Sequence, residues 1–174
     1  MSKPIIDVCC GGRMFWFDKK NPKVEFCDKR VVSKMMVGKG RNARAFECKP
    51  DTVADFKHIP FEDESFHLVV MDPPHLIQAG EKSYMAQKYG ILAKDWKTEI
   101  HDGFWECMRI LKLNGILIFK WNESQITVGE IKKAIGVEPL FGHRSGKISK
   151  THWLCFMKFE AREAQEQSNE RINV

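Results

Sequence analysis

Short apolar runs alternate along the chain with stretches of helical or loop pattern. PIIDV (4–8), KVEFC (23–27), TVADF (52–56) and FHLVVM (66–71) each have the length and composition of a strand, and ILIFKW (116–121) and THWLCFMKF (151–159) add two more. Between the fourth and fifth runs, Trp96, Ile100, Phe104, Met108 and Leu111 recur at three and four residues. That spacing predicts a helix over 96–112, with Asp95 as N-cap and Asn114–Gly115 as its stop. A second helix is predicted over 127–136. Strands alternating with helical segments imply a largely parallel sheet with the core between layers. The expected organisation is one domain, 1–160, followed by a polar tail, 161–174, too poor in apolar residues to pack.

Composition narrows the class. At 174 residues and 43% hydrophobic, the chain can bury one substantial core. Its six cysteines contain no C-x-x-C spacing, so neither a zinc ribbon nor a dithiol redox site is signalled, and no metal is expected. The first residues carry an acid where a secretory leader would be apolar, and no run approaches a membrane span. The expectation is a cytoplasmic protein with reduced thiols and no membrane partner. A net charge of +5 is concentrated in 34–44 and 143–150. It permits nucleic-acid binding without requiring it, since solvated loops carry such runs equally well.

Each of the first four strands ends in or beside an acid: Asp7, Asp28, Asp55 and Asp72. Asp72 opens the sequence DPPH, in which Pro73 and Pro74 each lack a donor and fix φ. Such a corner suits a turn as well as a site. Four acids at the carboxyl edge of one sheet favour the site, because open α/β sheets bind ligands there. Gly11 and Gly12 follow the first strand, where absent side chains let a ligand approach the backbone. Asp28 comes 21 residues after Asp7, near the offset at which an acid reaches a ribose diol. Neither a G-x-G-x-x-G fingerprint nor a phosphate loop is present, which suits an adenosine-type ligand without phosphates.

Together, DVCCGG, the CD at 27–28, VADFKHIPFEDESFHLVVMDPPH and ECMRILKLNGILIFKW resemble the class I S-adenosylmethionine-dependent methyltransferases, and DPPH resembles the DPPY-type tetrapeptide of the amino-methylating adenine methyltransferases. The resemblance, over residues 4–158, implies a Rossmann-like α/β fold with a mostly parallel seven-stranded sheet, an antiparallel last strand and helices on both faces. It implies S-adenosylmethionine as cofactor, with Asp7, Cys9, Gly11 and Gly12 at its methionine part, Asp28 on the ribose, and Asp55 and Phe56 on the adenine. Asp72, Pro73, Pro74 and His75 would hold a planar exocyclic amine, by implication adenine N6 of DNA or RNA, with cytosine N4 and the side-chain amide of glutamine as similar sp2 nitrogens also open. An aromatic amine is a poor nucleophile because its lone pair is delocalised. The Asp72 carboxylate and Pro73 carbonyl, by holding its hydrogens out of plane, would localise that pair.

His75 departs from the commoner aromatic and has three readings: stacking on the base, taking a proton, or serving local structure. The segment 76–95 reads as a lid carrying Tyr84 and Tyr89, or as a loop whose tyrosines pack. Lys120 and Asn122 border the expected site. Arg144 and Lys147, with Lys39, Arg41, Arg44 and Lys150, are candidate phosphate contacts. No separate recognition domain is visible, so a partner protein supplying specificity is a further expectation. Two other classes remain open: a small-molecule methyltransferase on the same fold, and a non-catalytic nucleic-acid-binding module.

Overall fold

The structure, a computed structural model, describes residues 3–38, 40–80, 83–146 and 148–160. Lys39, Lys147 and the expected tail lie outside the described residues. Seven strands form one sheet: β1 (Ile5–Asp7), β2 (Val24–Asp28), β5 (Thr52–Val53), β6 (Phe66–Met71), β7 (Leu111–Asn122), β8 (Phe141–Arg144) and β9 (Thr151–Met157). Their order is β5-β2-β1-β6-β7-β9-β8. The pairs from β5 through β7 are parallel, and β9 runs antiparallel between β7 and β8. The chain order reverses beside β1, the position at which open sheets part their loops to admit a ligand.

Alternation along the strands sorts the core into two faces. Ile6, Cys27, Leu117, Phe119, Trp121, Leu154 and Phe156 point to the face covered by α2 (Trp96–Ile110) and α3 (Val128–Ile135) and are fully or nearly fully buried. Helix α3 begins with a capping box, Thr127 and Glu130 exchanging bonds, and ends at Gly136 in the left-handed conformation. The other face is covered between β1 and β2 by an aromatic loop. Trp16 packs edge-on against Phe26, and Phe15 edge-on against Trp153. That connection leaves no room for a long helix and forms none, and large rings cover the sheet in its place.

Several elements differ from the pattern-based expectation. Helix α2 stops at Ile110, and Leu111 turns extended to pair with Phe66. Asn114, at φ 61°, and Gly115 therefore lie within β7, where the register against β6 shifts. They form a bulge rather than a helix cap. Asp95 sits at the N-cap of α2 without a side-chain bond to it. Between β2 and β5 the chain builds a separate hairpin, β3 (Val32–Val37) and β4 (Arg44–Cys48), where a basic loop was expected. The segment 76–95 contains a short helix, α1 (Tyr84–Tyr89), packed on that hairpin through Tyr84.

Candidate active site

The parallel ladder continues one step past β1, with Val8 N donating to Val70 O and Cys10 N to Cys27 O. The chain then leaves the sheet through Gly11 and Arg13, both at positive φ (46° and 52°). Above this turn lies a cavity of about 200 Å3, small beside the ~300–1,000 Å3 of ordinary ligand sites. Cys9, Gly11, Gly12, Asp28 and Phe56 line it together with Asp72, Pro74, Tyr89 and Lys120. Both halves of the expected site thus open into one space.

Asp28 is buried and its carboxylate is fully engaged. Oδ2 accepts from the Gly11 amide (2.9 Å), while Arg30 gives Oδ1 its backbone N–H and Nε and gives Oδ2 a weaker bond from Nη2. Arg30 also donates from Nη1 to the Lys88 carbonyl in α1. The guanidinium therefore lies along one wall of the cavity and joins β2 to α1. Phe56 presents its ring to the cavity and packs against Gly103 of α2, where a Cβ would come within 2.2 Å of the ring.

At the far wall, Lys120 Nζ donates to Asp72 Oδ2 (2.5 Å), and its ammonium lies over the Phe15 and Trp153 rings. Burial pushes the Asp72 carboxyl above its usual range, and the Lys120 charge pulls it back. Desolvation, with Lys120 nearby, lowers the pKa of His75 and favours neutral imidazole.

Several expected residues stand elsewhere. Asp7 is wholly buried beneath the cavity, accepting from Trp16 Nε1 (2.7 Å) and the Cys9 amide (3.2 Å). Burial raises its pKa to about 7. Asp55 turns to the Lys57 amide and to Lys29 and Lys57, and does not line the cavity. His75 is buried, tilted against Tyr89 at 5.7 Å between ring centroids, so its ring presents no open face. Asn122 donates to Thr151 Oγ1 and accepts from the Ser124 amide. Arg144 pairs with Glu123 at 3.1 Å, outside the cavity. Of the lid tyrosines, Tyr89 lines the cavity and Tyr84 packs on the hairpin.

Arg30, Phe46, Lys88 and Met14, which also line the cavity, did not emerge from the sequence. One signal was available: Val32 to Val37 and Arg44 to Cys48 flank the glycine-rich turn GKGRN, a hairpin pattern, and Phe46 lies on its second strand. Cys10, Cys48 and Asp28 bring their ligand atoms within 4.8 Å of one another. They suit a metal poorly. Asp28 is bonded to a guanidinium, and a hydrogen bond with Cys48 together with burial pushes the Cys10 thiol up and keeps it protonated. All six cysteines are free thiols.

The strand order, the antiparallel β9 and a cavity at the carboxyl ends of β1, β2 and β6 define the Rossmann-like class I methyltransferase fold. Solved structures agree. The PH0226 protein from Pyrococcus horikoshii OT3 matches over 88% of this chain and 81% of its own, at 12% identity and a TM-score of 0.53. A TehB-like SAM-dependent methyltransferase from Corynebacterium glutamicum matches over 90% and 80%, at 14% identity and 0.51. At such identities the likeness is one of fold. No family model and no curated protein matches the sequence.

Proposed function

We propose that the protein is an S-adenosylmethionine-dependent methyltransferase acting on the exocyclic amine of a nucleic-acid base, with adenine N6 as the leading target. The observation that carries this reading is the single cavity in which Gly11, Gly12, Asp28 and Phe56 face Asp72 and Pro74. The fold shared with a SAM-dependent enzyme supports the choice of cofactor.

The residues present fit that cofactor. Asp28 is a buried carboxylate at a strand end, able to accept from two ribose hydroxyls once Arg30 yields its place. Phe56 offers a ring to adenine, and the positive-φ turn at Gly11 exposes backbone to the methionine part. When bound, S-adenosylmethionine supplies an electrophilic sulfonium methyl group.

The chain's own task is to prepare the amine. With Lys120 on Oδ2, the other oxygen of Asp72 is left to accept an amine hydrogen, and the Pro73 carbonyl is the second acceptor. Neither Pro73 nor Pro74 has an N–H to compete for these acceptors. Burial makes the Asp72 carboxylate more basic than one in water, which favours its taking hydrogen-bond character from the reacting nitrogen. The Lys120 charge opposes that rise.

The test is transfer of labelled methyl from S-adenosylmethionine into separate DNA, RNA and small-metabolite pools, with mass analysis of digested nucleosides. N6-methyladenine that disappears with Asp72→Ala, while cofactor affinity persists, is the expected result. Label confined to metabolites would overturn the substrate.

A further inference from the structure

Beside the site cavity, and sharing Gly11, Gly12, Met14, Phe46 and Lys88 with it, lies a wider cleft of about 800 Å3. Its walls are the aromatic loop after β1 and the β3–β4 hairpin. Cations line both: Arg13, Lys19 and Lys20 from the loop, and Lys34, Arg44 and Lys49 from the hairpin side. The acid in its lining is Glu47, which is taken by Lys49 at 2.9 Å. Arg13 is bound to Asp51. Among the described residues Lys19, Lys20 and Lys34 make no ion pair, and Arg44 bonds only the backbone carbonyls of Arg41 and Ala43.

Four such charges facing one concave space repel each other, and an elongated polyanion would relieve that repulsion along its length. Apolar side chains are interleaved with them. Met14, which lines both cavities, is half-exposed, Tyr84 lines the cleft half-buried, and Phe17, outside the lining, is fully exposed two residues before Lys19. A basic groove with accessible aromatic surface is the arrangement that holds single strands, phosphates on the cations and bases on the rings. A duplex presents its phosphates on a convex cylinder and would meet only the rims of a cleft walled on both sides. The narrow site cavity also requires a base already out of its stack.

We infer that this cleft is the binding track of a single-stranded nucleic acid, with Lys19, Lys20, Lys34 and Arg44 as its phosphate contacts, leading into the site cavity. The inference rests on the proposed reading of the site and gives its substrate a form. It moves the interface away from Arg144, which is paired with Glu123 and lines neither cavity.

The test is fluorescence anisotropy without cofactor, using a labelled DNA dodecamer, the RNA of the same sequence, the DNA duplex, and polyglutamate as a non-nucleic polyanion, across rising salt. Lys19→Glu/Lys20→Glu/Lys34→Glu is compared with Lys94→Glu/Lys97→Glu/Lys133→Glu, which changes the net charge equally elsewhere. Unchanged melting temperature and cofactor affinity certify both folds. The expected result is tightest binding to a single strand, the DNA and RNA arms naming the polymer. The first variant should weaken it at least ~tenfold and flatten the logarithmic salt slope by about 2, at ~0.7 per lost contact. Equal loss in both variants, tighter duplex binding, equal binding of polyglutamate, or no binding by the wild type would each overturn the inference. Strand binding without methyl transfer would overturn the site reading and leave the track standing. Methyl transfer to a single strand that the cleft variant leaves untouched would do the reverse.

Discussion

Lys120 and Asp7 show how single burials set the chemistry of the site. Burial raises the Asp72 carboxyl and Lys120 opposes it, so removing the ammonium leaves only the upward push. Lys120→Met should therefore move the acid limb of the pH–rate profile to higher pH, because the cation that holds the carboxyl down is gone. A profile that merely scales down would mean that Lys120 does not act through Asp72. Asp7 concerns stability instead. Its folded-state pKa of about 7 lies above the ordinary carboxyl value, so the folded protein holds a proton that the unfolded chain releases at lower pH. This contribution is fully present below about pH 4 and is lost as pH rises through about 7, amounting to at most ~4 kcal/mol. Asp7→Asn, which keeps an acceptor for Trp16 Nε1, should match the wild type near the acid end and melt higher than it at mildly alkaline pH. Parallel melting curves across that range would show that Asp7 titrates normally.

At the scale of elements, α2 is fitted to the site through one missing side chain. A Cβ at Gly103 would strike Phe56 at 2.2 Å and reach Met71 Cε at 3.2 Å. Gly103→Ala should cost about 1–3 kcal/mol by overpacking and weaken cofactor binding by displacing the ring. Pairing it with Phe56→Leu should restore the melting temperature but not the affinity, as calorimetry with S-adenosylmethionine would show. Gly103 was not read from the sequence because its neighbour in space is 47 residues away. Locally coded features were legible. The runs ending at Asp7, Asp28 and Asp72 became β1, β2 and the corner after β6, and α3 was set by its capping box. The β3–β4 hairpin was missed despite its glycine-rich turn, because residues 33–36 of β3 are all exposed and carry no apolar–polar alternation to mark a strand beside that turn. Asn114–Gly115 was read as a helix stop since the same residues serve a bulge; Leu111 pairing with Phe66, a tertiary choice, decided between them. Burial of His75 follows from the chain doubling back, with Leu92 N donating to Leu76 O, which no local pattern announces.

For the whole molecule the decisive residue is Arg30, which holds together parts distant in sequence. Its side chain satisfies Asp28 at the end of β2 and the Lys88 carbonyl in α1, and its carbonyl accepts from Cys48 Sγ at the end of β4. The first of these bonds occupies the acceptors that the ribose would need, so the protein without cofactor is held partly by contacts that binding must exchange. Arg30→Ala removes the competitor and leaves a buried carboxylate without its cation, a change that costs several kcal/mol when one partner of a buried pair is lost. The variant alone should therefore melt below the wild type. Cofactor hydroxyls would then repair the orphaned acceptors, so the rise in melting temperature on adding S-adenosylmethionine should be larger for the variant. Binding to the folded state alone stabilises by about 2.7 kcal/mol at a hundredfold excess over Kd, which a thermal scan resolves easily. If the variant instead shows a smaller rise than the wild type, Arg30 is itself a cofactor contact, and the exchange at Asp28 does not occur.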